Sequence, residues 1–117
     1  MNNEPTTPEF MKELYETIKS RRNGNINKSY TAQLFDKGVA HITQKIGEES
    51  TEVIVAALNE TPAQVISESA DLIFHLMVLW VEKDISLDAI FNELEGRSRA
   101  SGIREKSALK SEKLNPK

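Results

Sequence analysis

Two neighbouring stretches decide the fold: VAHITQKIGEESTEVIVAAL (Val39–Leu58) and TPAQVISESADLIFHLMVLWV (Thr61–Val81). In the first, Ile42, Ile46, Val53 and Ala57 recur at helical spacing and define an apolar stripe. At about 100° per residue, Lys45, Glu49, Glu52 and Ala56 form the adjoining stripe, with Glu48 beside Glu52. The second stretch opens on Thr61, Pro62 and Gln64, which supply an N-cap, a proline at the first helical position and a capping-box partner. Its Gln64, Glu68, Asp71 and His75 fall on one polar face, and Val65, Ile66, Ile73, Phe74, Leu76, Met77, Val78, Trp80 and Val81 surround the rest. A helix apolar on nearly every side is buried rather than solvated. In a chain this short, that much apolar surface predicts a homodimer packed through helices.

Five carboxylates thus sit on two adjacent helices, Glu48, Glu49 and Glu52 on one, Glu68 and Asp71 on the other. Like charges three or four apart repel by roughly 0.2–0.5 kcal/mol per pair, and Lys45 is the one basic residue within either motif. A solvated acidic face is the ordinary reading of a single such triplet. The second motif argues against it, because its acids stand at the mouth of an apolar helix. A divalent cation would relieve the crowding. Mg²⁺ takes hard oxygen ligands and commonly joins carboxylates to substrate phosphates, so phosphoryl chemistry is the first expectation. A di-iron carboxylate bundle would need Glu-x-x-His on two helices, and that motif is absent from the sequence.

Working outward, Thr7 and Pro8 announce an earlier helix carrying Phe10, Leu14 and Ile18 on one face, ended by Asn23–Gly24–Asn25. Lys19, Arg21 and Arg22 gather at its C-terminal end, where the helix dipole favours cations. A connection follows, with one short helix from Ser29 to Lys37 closed by Gly38. Beyond the two central helices a last one begins near Ser86 and is expected to bury Leu87, Ile90, Phe91 and Leu94. The pattern fades from Gly96, and residues 108–117 read as a mobile tail. With no alternating strand pattern, the expectation is an all-α protomer of four to five helices in a bundle-like arrangement. It forms one domain spanning residues 1–117, with its core at about 8–107.

Composition narrows the function. The 117 residues carry 15 basic and 18 acidic side chains, a net charge of −3, which leaves no basic footprint for nucleic acid. Without cysteine there is no disulfide framework, no thiolate metal site and no cysteine nucleophile. The N-terminus lacks a basic region followed by an apolar run, and the longest apolar stretch is interrupted by His75, too short for a membrane span. A cytoplasmic protein with no membrane partner is expected.

In order along the chain stand Ser29–Tyr30, Lys37–Gly38, Lys45-x-Gly47–Glu48–Glu49-x-x-Glu52, Glu68-x-Ala70–Asp71–Leu72 with His75–Leu76, and Ser101–Gly102–Ile103-x-Glu105–Lys106. The acidic core of this set resembles the all-α nucleoside triphosphate pyrophosphohydrolases, the superfamily of MazG and the dimeric dUTPases. The full set, covering most of residues 10–107, resembles phosphoribosyl-ATP pyrophosphohydrolase of histidine biosynthesis.

That resemblance implies hydrolysis of phosphoribosyl-ATP to phosphoribosyl-AMP and pyrophosphate, a Mg²⁺ requirement, an all-α fold and an obligate dimer. It also implies the stand-alone form, since the zinc cyclohydrolase to which such domains are often fused uses cysteine ligands. On this reading Glu49, Glu52, Glu68 and Asp71 hold the metal, and Glu48 orients or deprotonates the attacking water. Tyr30, Lys37, Lys45, Arg97 and Lys106 contact substrate, although Lys45 is equally placed to pair with Glu49, and Tyr30 and Lys37 have structural explanations too. The family's paired arginines before an aromatic are missing at Glu95–Ala100, so Arg99 is given no contact. His75, four residues after Asp71, either orients that carboxylate from behind or is a satisfied core residue, while His41 reads as surface. Two alternatives stay open: a house-cleaning pyrophosphohydrolase of noncanonical nucleoside triphosphates, and a non-catalytic helical dimerisation module.

Overall fold

The computed structural model describes residues 7–99; the segment containing Lys106 and the expected tail lie outside them. Five helices and no strand occur among the described residues: α1 (Glu9–Ser20), α2 (Tyr30–Lys37), α3 (Val39–Asn59), α4 (Pro62–Glu82) and α5 (Leu87–Arg99). The all-α expectation holds.

α3 and α4 form the axis of the molecule. Only Glu60 and Thr61 separate them, so they run antiparallel and pack along their length, with α1 against α4 and α2 across both. The Thr61 hydroxyl accepts from Gln64 N at 3.3 Å, as the cap signature requires. α2 is capped the same way, Ser29 Oγ accepting from Ala32 N at 3.0 Å. Between α2 and α3, Gly38 adopts φ 92° and ψ −179°, a region essentially closed to residues with a Cβ. From there its N–H closes α2 on Leu34 O at 3.1 Å, while its own carbonyl opens α3 by accepting from Ile42 N at 3.0 Å.

The core is Tyr15, Ile18, Leu34, Phe35, Ile42, Met77, Val78, Val81 and Leu87, with Met11, Ile46, Phe74, Leu79, Trp80 and Phe91 packed around it. Fully burying one large aliphatic side chain such as Ile18, Leu34 or Ile42 is worth about 1.5–3 kcal/mol. Tyr15 keeps its polar end satisfied by donating to Ile85 O, and burial pushes its phenol up to about 12.

Several expectations are corrected. Ile18 is buried as expected, but Phe10 and Leu14 are exposed, and α1 buries Tyr15 and partly buries Met11 instead. Relative to Ile18, Phe10 lies about 80° around the helix and Met11 only about 20°. Thr7 does not cap α1, which starts at Glu9 with Pro8 before it; its buried hydroxyl donates to Asp88 Oδ1 at 2.9 Å, tying the residues before α1 to α5. On α3 the buried alanine is Ala56, not Ala57, so Ile42, Glu49 and Ala56 share the inward face at intervals of seven. Leu94 is exposed. α5 runs through Gly96 to Arg99, bridged across the glycine by Arg97 and Glu93 at 3.1 Å.

Arg22 fastens α1 to the α4–α5 turn, reaching Asp84 Oδ1 at 3.0 Å and the Glu82 carbonyl at 3.1 Å. Asp84 itself takes a left-handed φ of 59°, which aspartate tolerates better than most residues. α4 is long and apolar enough, by length and composition, to cross a membrane. The sequence expectation counted only the unbroken apolar run. In the fold this helix is the central element of the bundle, with Glu68 and Asp71 turned toward α3's Glu49.

Candidate metal centre

Because Glu49 belongs to the inward face of α3, its carboxylate is carried into the α3–α4 seam and is only 8 % exposed. One turn apart on α4, half-buried Glu68 and exposed Asp71 meet it from the opposite arm. The three groups each offer an oxygen within 4.8 Å of the others. Glu49 Oε1 and Glu68 Oε1 are buried and accept no hydrogen bond, a state that costs free energy unless a ligand supplies the partner. Hard, anionic oxygens held this close fit a divalent cation such as Mg²⁺ or Ca²⁺.

Glu52 is exposed and stands beside Glu68 rather than within the group of three. Its effect is plain in Glu68, whose acid is raised first by the Glu52 carboxylate, then by burial, with Asp71 and Glu49 adding repulsion. Three of the four expected ligands therefore converge, and the fourth borders them.

Glu48 stands outside the group of three and is engaged along its own helix. Its carboxylate receives Gln44 Nε2 at 3.1 Å and Lys45 Nζ at 3.3 Å, and these hydrogen bonds, Gln44's first, hold it below the ordinary glutamate range. Lys45 thus pairs with Glu48 and not with Glu49. Gln44 was missed in the sequence, where its i, i+4 spacing to Glu48 was the available signal.

Tyr30 and His75 meet at the edge of the cluster. The Tyr30 hydroxyl lies 2.9 Å from His75 Nε2, and His75 Nδ1 lies 2.8 Å from the Asp71 main-chain carbonyl. The histidine thus touches Asp71's backbone and not its carboxylate, which fits the core-residue alternative rather than the orienting one. Burial raises the Tyr30 phenol; Lys45 opposes this, and Glu49, Asp71 and Glu48 add to it. Lys37 is exposed at the end of α2, and Arg97 is exposed and engaged with Glu93, so the structure brings neither into the cluster. Lys106 lies outside the described residues.

A helical hairpin whose two arms contribute converging carboxylates, two of them with unsatisfied oxygens, defines the class: an all-α domain with an acidic cluster that could hold a metal ion. Comparison with known proteins gives the family. The model of the phosphoribosyl-ATP pyrophosphohydrolase family matches residues 11–98, and the chain belongs to that family. It is 48 % identical over 106 residues to the phosphoribosyl-ATP pyrophosphatase of Rhodospirillum rubrum, covering 91 % of each chain. It is 46 % identical to that of Trichlorobacter lovleyi over 86 % of this chain and 94 % of the relative. The histidine biosynthesis bifunctional protein HisIE of Caldanaerobacter subterraneus is 49 % identical over 76 % of this chain, a match spanning 43 % of that longer protein.

Proposed function

We propose that this protein hydrolyses phosphoribosyl-ATP to phosphoribosyl-AMP and pyrophosphate in histidine biosynthesis, using Mg²⁺. The observation that carries the reading is the trio Glu49, Glu68 and Asp71, with oxygens within 4.8 Å and two of them unpartnered, in a chain of this family. These three residues would hold the ion, with Glu52 completing the acidic wall. Bound there, Mg²⁺ would draw charge from the triphosphate and make attack by water easier.

The protein's own groups do the rest. Glu48, kept ionised by Gln44 and Lys45, accepts a hydrogen bond from the attacking water and orients it. The products require water to add at one phosphorus of the α–β anhydride while the P–O–P bond opens and pyrophosphate leaves. Lys45 shares Glu48's charge and faces incoming phosphate oxygens. Tyr30 borders this end of the site, and Lys37, Arg97 and Lys106 complete the substrate contacts.

A homodimer in the cytoplasm is part of the reading, as one domain with no nucleic-acid or membrane partner. It is supported by apolar side chains left outward on the central hairpin: Ile54, Val55 and Leu58 on α3 and Ile66 and Ile73 on α4.

A pyrophosphate-release assay across phosphoribosyl-ATP, ATP and dUTP, with Mg²⁺ or EDTA, tests the activity. Phosphoribosyl-ATP is expected to turn over only with Mg²⁺, and the others far more slowly. Comparable turnover of ordinary triphosphates would move the chain to the house-cleaning group, and no turnover of any would leave a helical dimerisation module.

A further inference from the structure

His75 is a buried ring, 5 % exposed, with both nitrogens engaged and neither on a carboxylate. Its partners assign its hydrogen. The Asp71 main-chain carbonyl can only accept, so the hydrogen of the neutral imidazole must sit on Nδ1. Nε2 is then a bare acceptor, and the Tyr30 hydroxyl, 2.9 Å away, must donate to it. Phe74 packs edge-on against the imidazole, centroids 5.2 Å apart, and the Tyr30 ring meets it edge-on at 5.9 Å, so the imidazole is held between two aromatic neighbours.

With its only hydrogen committed to His75, the Tyr30 oxygen presents nothing but lone pairs to its other neighbours. Lys45 attracts the charged phenol while Glu49, Asp71 and Glu48 repel it, and His75 ties Tyr30 to the turn of α4 that carries Asp71. An oxygen of this kind repels carboxylates and phosphates and attracts N–H and O–H donors. Lys45 is the cation at hand, already 3.3 Å from Glu48. We infer that His75 is a positioning residue that acts through Tyr30: it fixes the phenol oxygen as an obligate acceptor on the rim of the metal centre. There it steadies the Lys45 ammonium opposite Glu48 instead of touching phosphate itself. This refines the proposed activity and rests on it for its kinetic consequence, but the hydrogen assignment stands apart from catalysis.

The first test is made on metal-free protein with ¹⁵N-labelled histidine, by long-range ¹H–¹⁵N correlation at about pH 8, above the ordinary histidine range. One of the two rings, identified by its disappearance in His75→Phe or by its shift in Tyr30→Phe, is expected to carry its hydrogen on Nδ1. A hydrogen on Nε2 at that ring overturns the inference, since Tyr30 would then have to accept from it. The second test is kinetic. Losing a hydrogen bond that steadies a charged group should raise KM for phosphoribosyl-ATP by about tenfold in Tyr30→Phe or His75→Phe, with little change in kcat. The double variant should be no worse than the single ones, because both break one path. Multiplying effects would overturn the inference, as would weaker Mg²⁺ binding by calorimetry in His75→Phe but not in Tyr30→Phe, which would route the histidine through Asp71. Should His75→Phe fail to fold, Tyr30→Phe and the ring assignment decide alone. An inactive parent chain would refute the proposed hydrolysis and leave the ring assignment to stand or fall by itself.

Discussion

Replacing glycine by alanine is expected to have opposite signs at two positions. At Gly38 an added Cβ would meet nothing within 4 Å, so no steric clash enters. The cost is in the backbone: φ 92° with ψ −179° is a conformation that costs a residue with a Cβ about 1–3 kcal/mol. Taking about 2 kcal/mol, and about 4 °C per kcal/mol for a domain of this size, Gly38→Ala should melt about 8 °C below the parent. At Gly96 an added Cβ also meets open space, but the residue lies inside α5. There alanine restricts only the unfolded chain and favours the helix, gaining about 0.5–1 kcal/mol, or about 2–4 °C. Thermal melts by far-ultraviolet circular dichroism in EDTA, checked by urea titration for a constant m value, read both. If Gly38→Ala melted with the parent, the positive φ at the α2–α3 junction would be wrong. If Gly96→Ala melted lower, α5 would not continue through that residue.

Glu49→Gln and Asp71→Asn are each predicted to lower turnover on the order of 100-fold, while melting in EDTA stays level or rises as repulsion falls; parent-level activity in both would defeat the metal assignment. Glu68 binds its proton more tightly in the fold than in the unfolded chain. Its contribution to stability is therefore complete below the ordinary value of 4.5 and lost as pH rises through its raised value. In EDTA the advantage of Glu68→Gln over the parent should grow with pH across that window and shrink when Mg²⁺ is added; a gap that ignores both pH and Mg²⁺ would contradict the crowding argument. Ile73→Asp, on the exposed face of α4, should shift sedimentation toward monomer with the helix content intact, whereas Met77→Asp, at a fully buried position, should unfold the protein. A dimer unaffected by Ile73→Asp would place the interface on another face.

The parts of this fold that sequence made legible are those governed by local chemistry. Thr61 caps its helix because a hydroxyl before a helix finds the N–H three residues on, and Gly38 marks a backbone that other residues avoid; Ser29, read as the first helical residue, turns out to be a cap of the same kind. The Glu49, Glu68, Asp71 convergence was legible because two acidic pairs flank a short helical turn, so geometry alone brings them together. What escaped depends on distant partners or on small angular differences. Thr7 reads as a cap until Asp88 is beside it, 81 residues away. Arg22 reads as a dipole cation until Asp84 and Glu82 receive it. The α1 face was misjudged because rows at i, i+4 and i+8 drift around the helix, so Leu14 and Phe10 turn progressively away from Ile18. Of the two readings open for His75, the structure fits the satisfied core residue, since spacing of four serves a backbone carbonyl as well as a carboxylate.

The cluster draws its oxygens from residues 49–71 of a single hairpin whose helices are joined by Glu60 and Thr61. Contacts so near in sequence require little loop-closure entropy, so the hairpin is the element best placed to assemble first as the chain folds. Its carboxylates would then repel early, and a cation present at that stage is expected to speed folding, as interactions formed in the transition state do. The Thr7–Asp88 bond closes the chain over a far longer span and is expected to form later, so its loss should show mainly as faster unfolding.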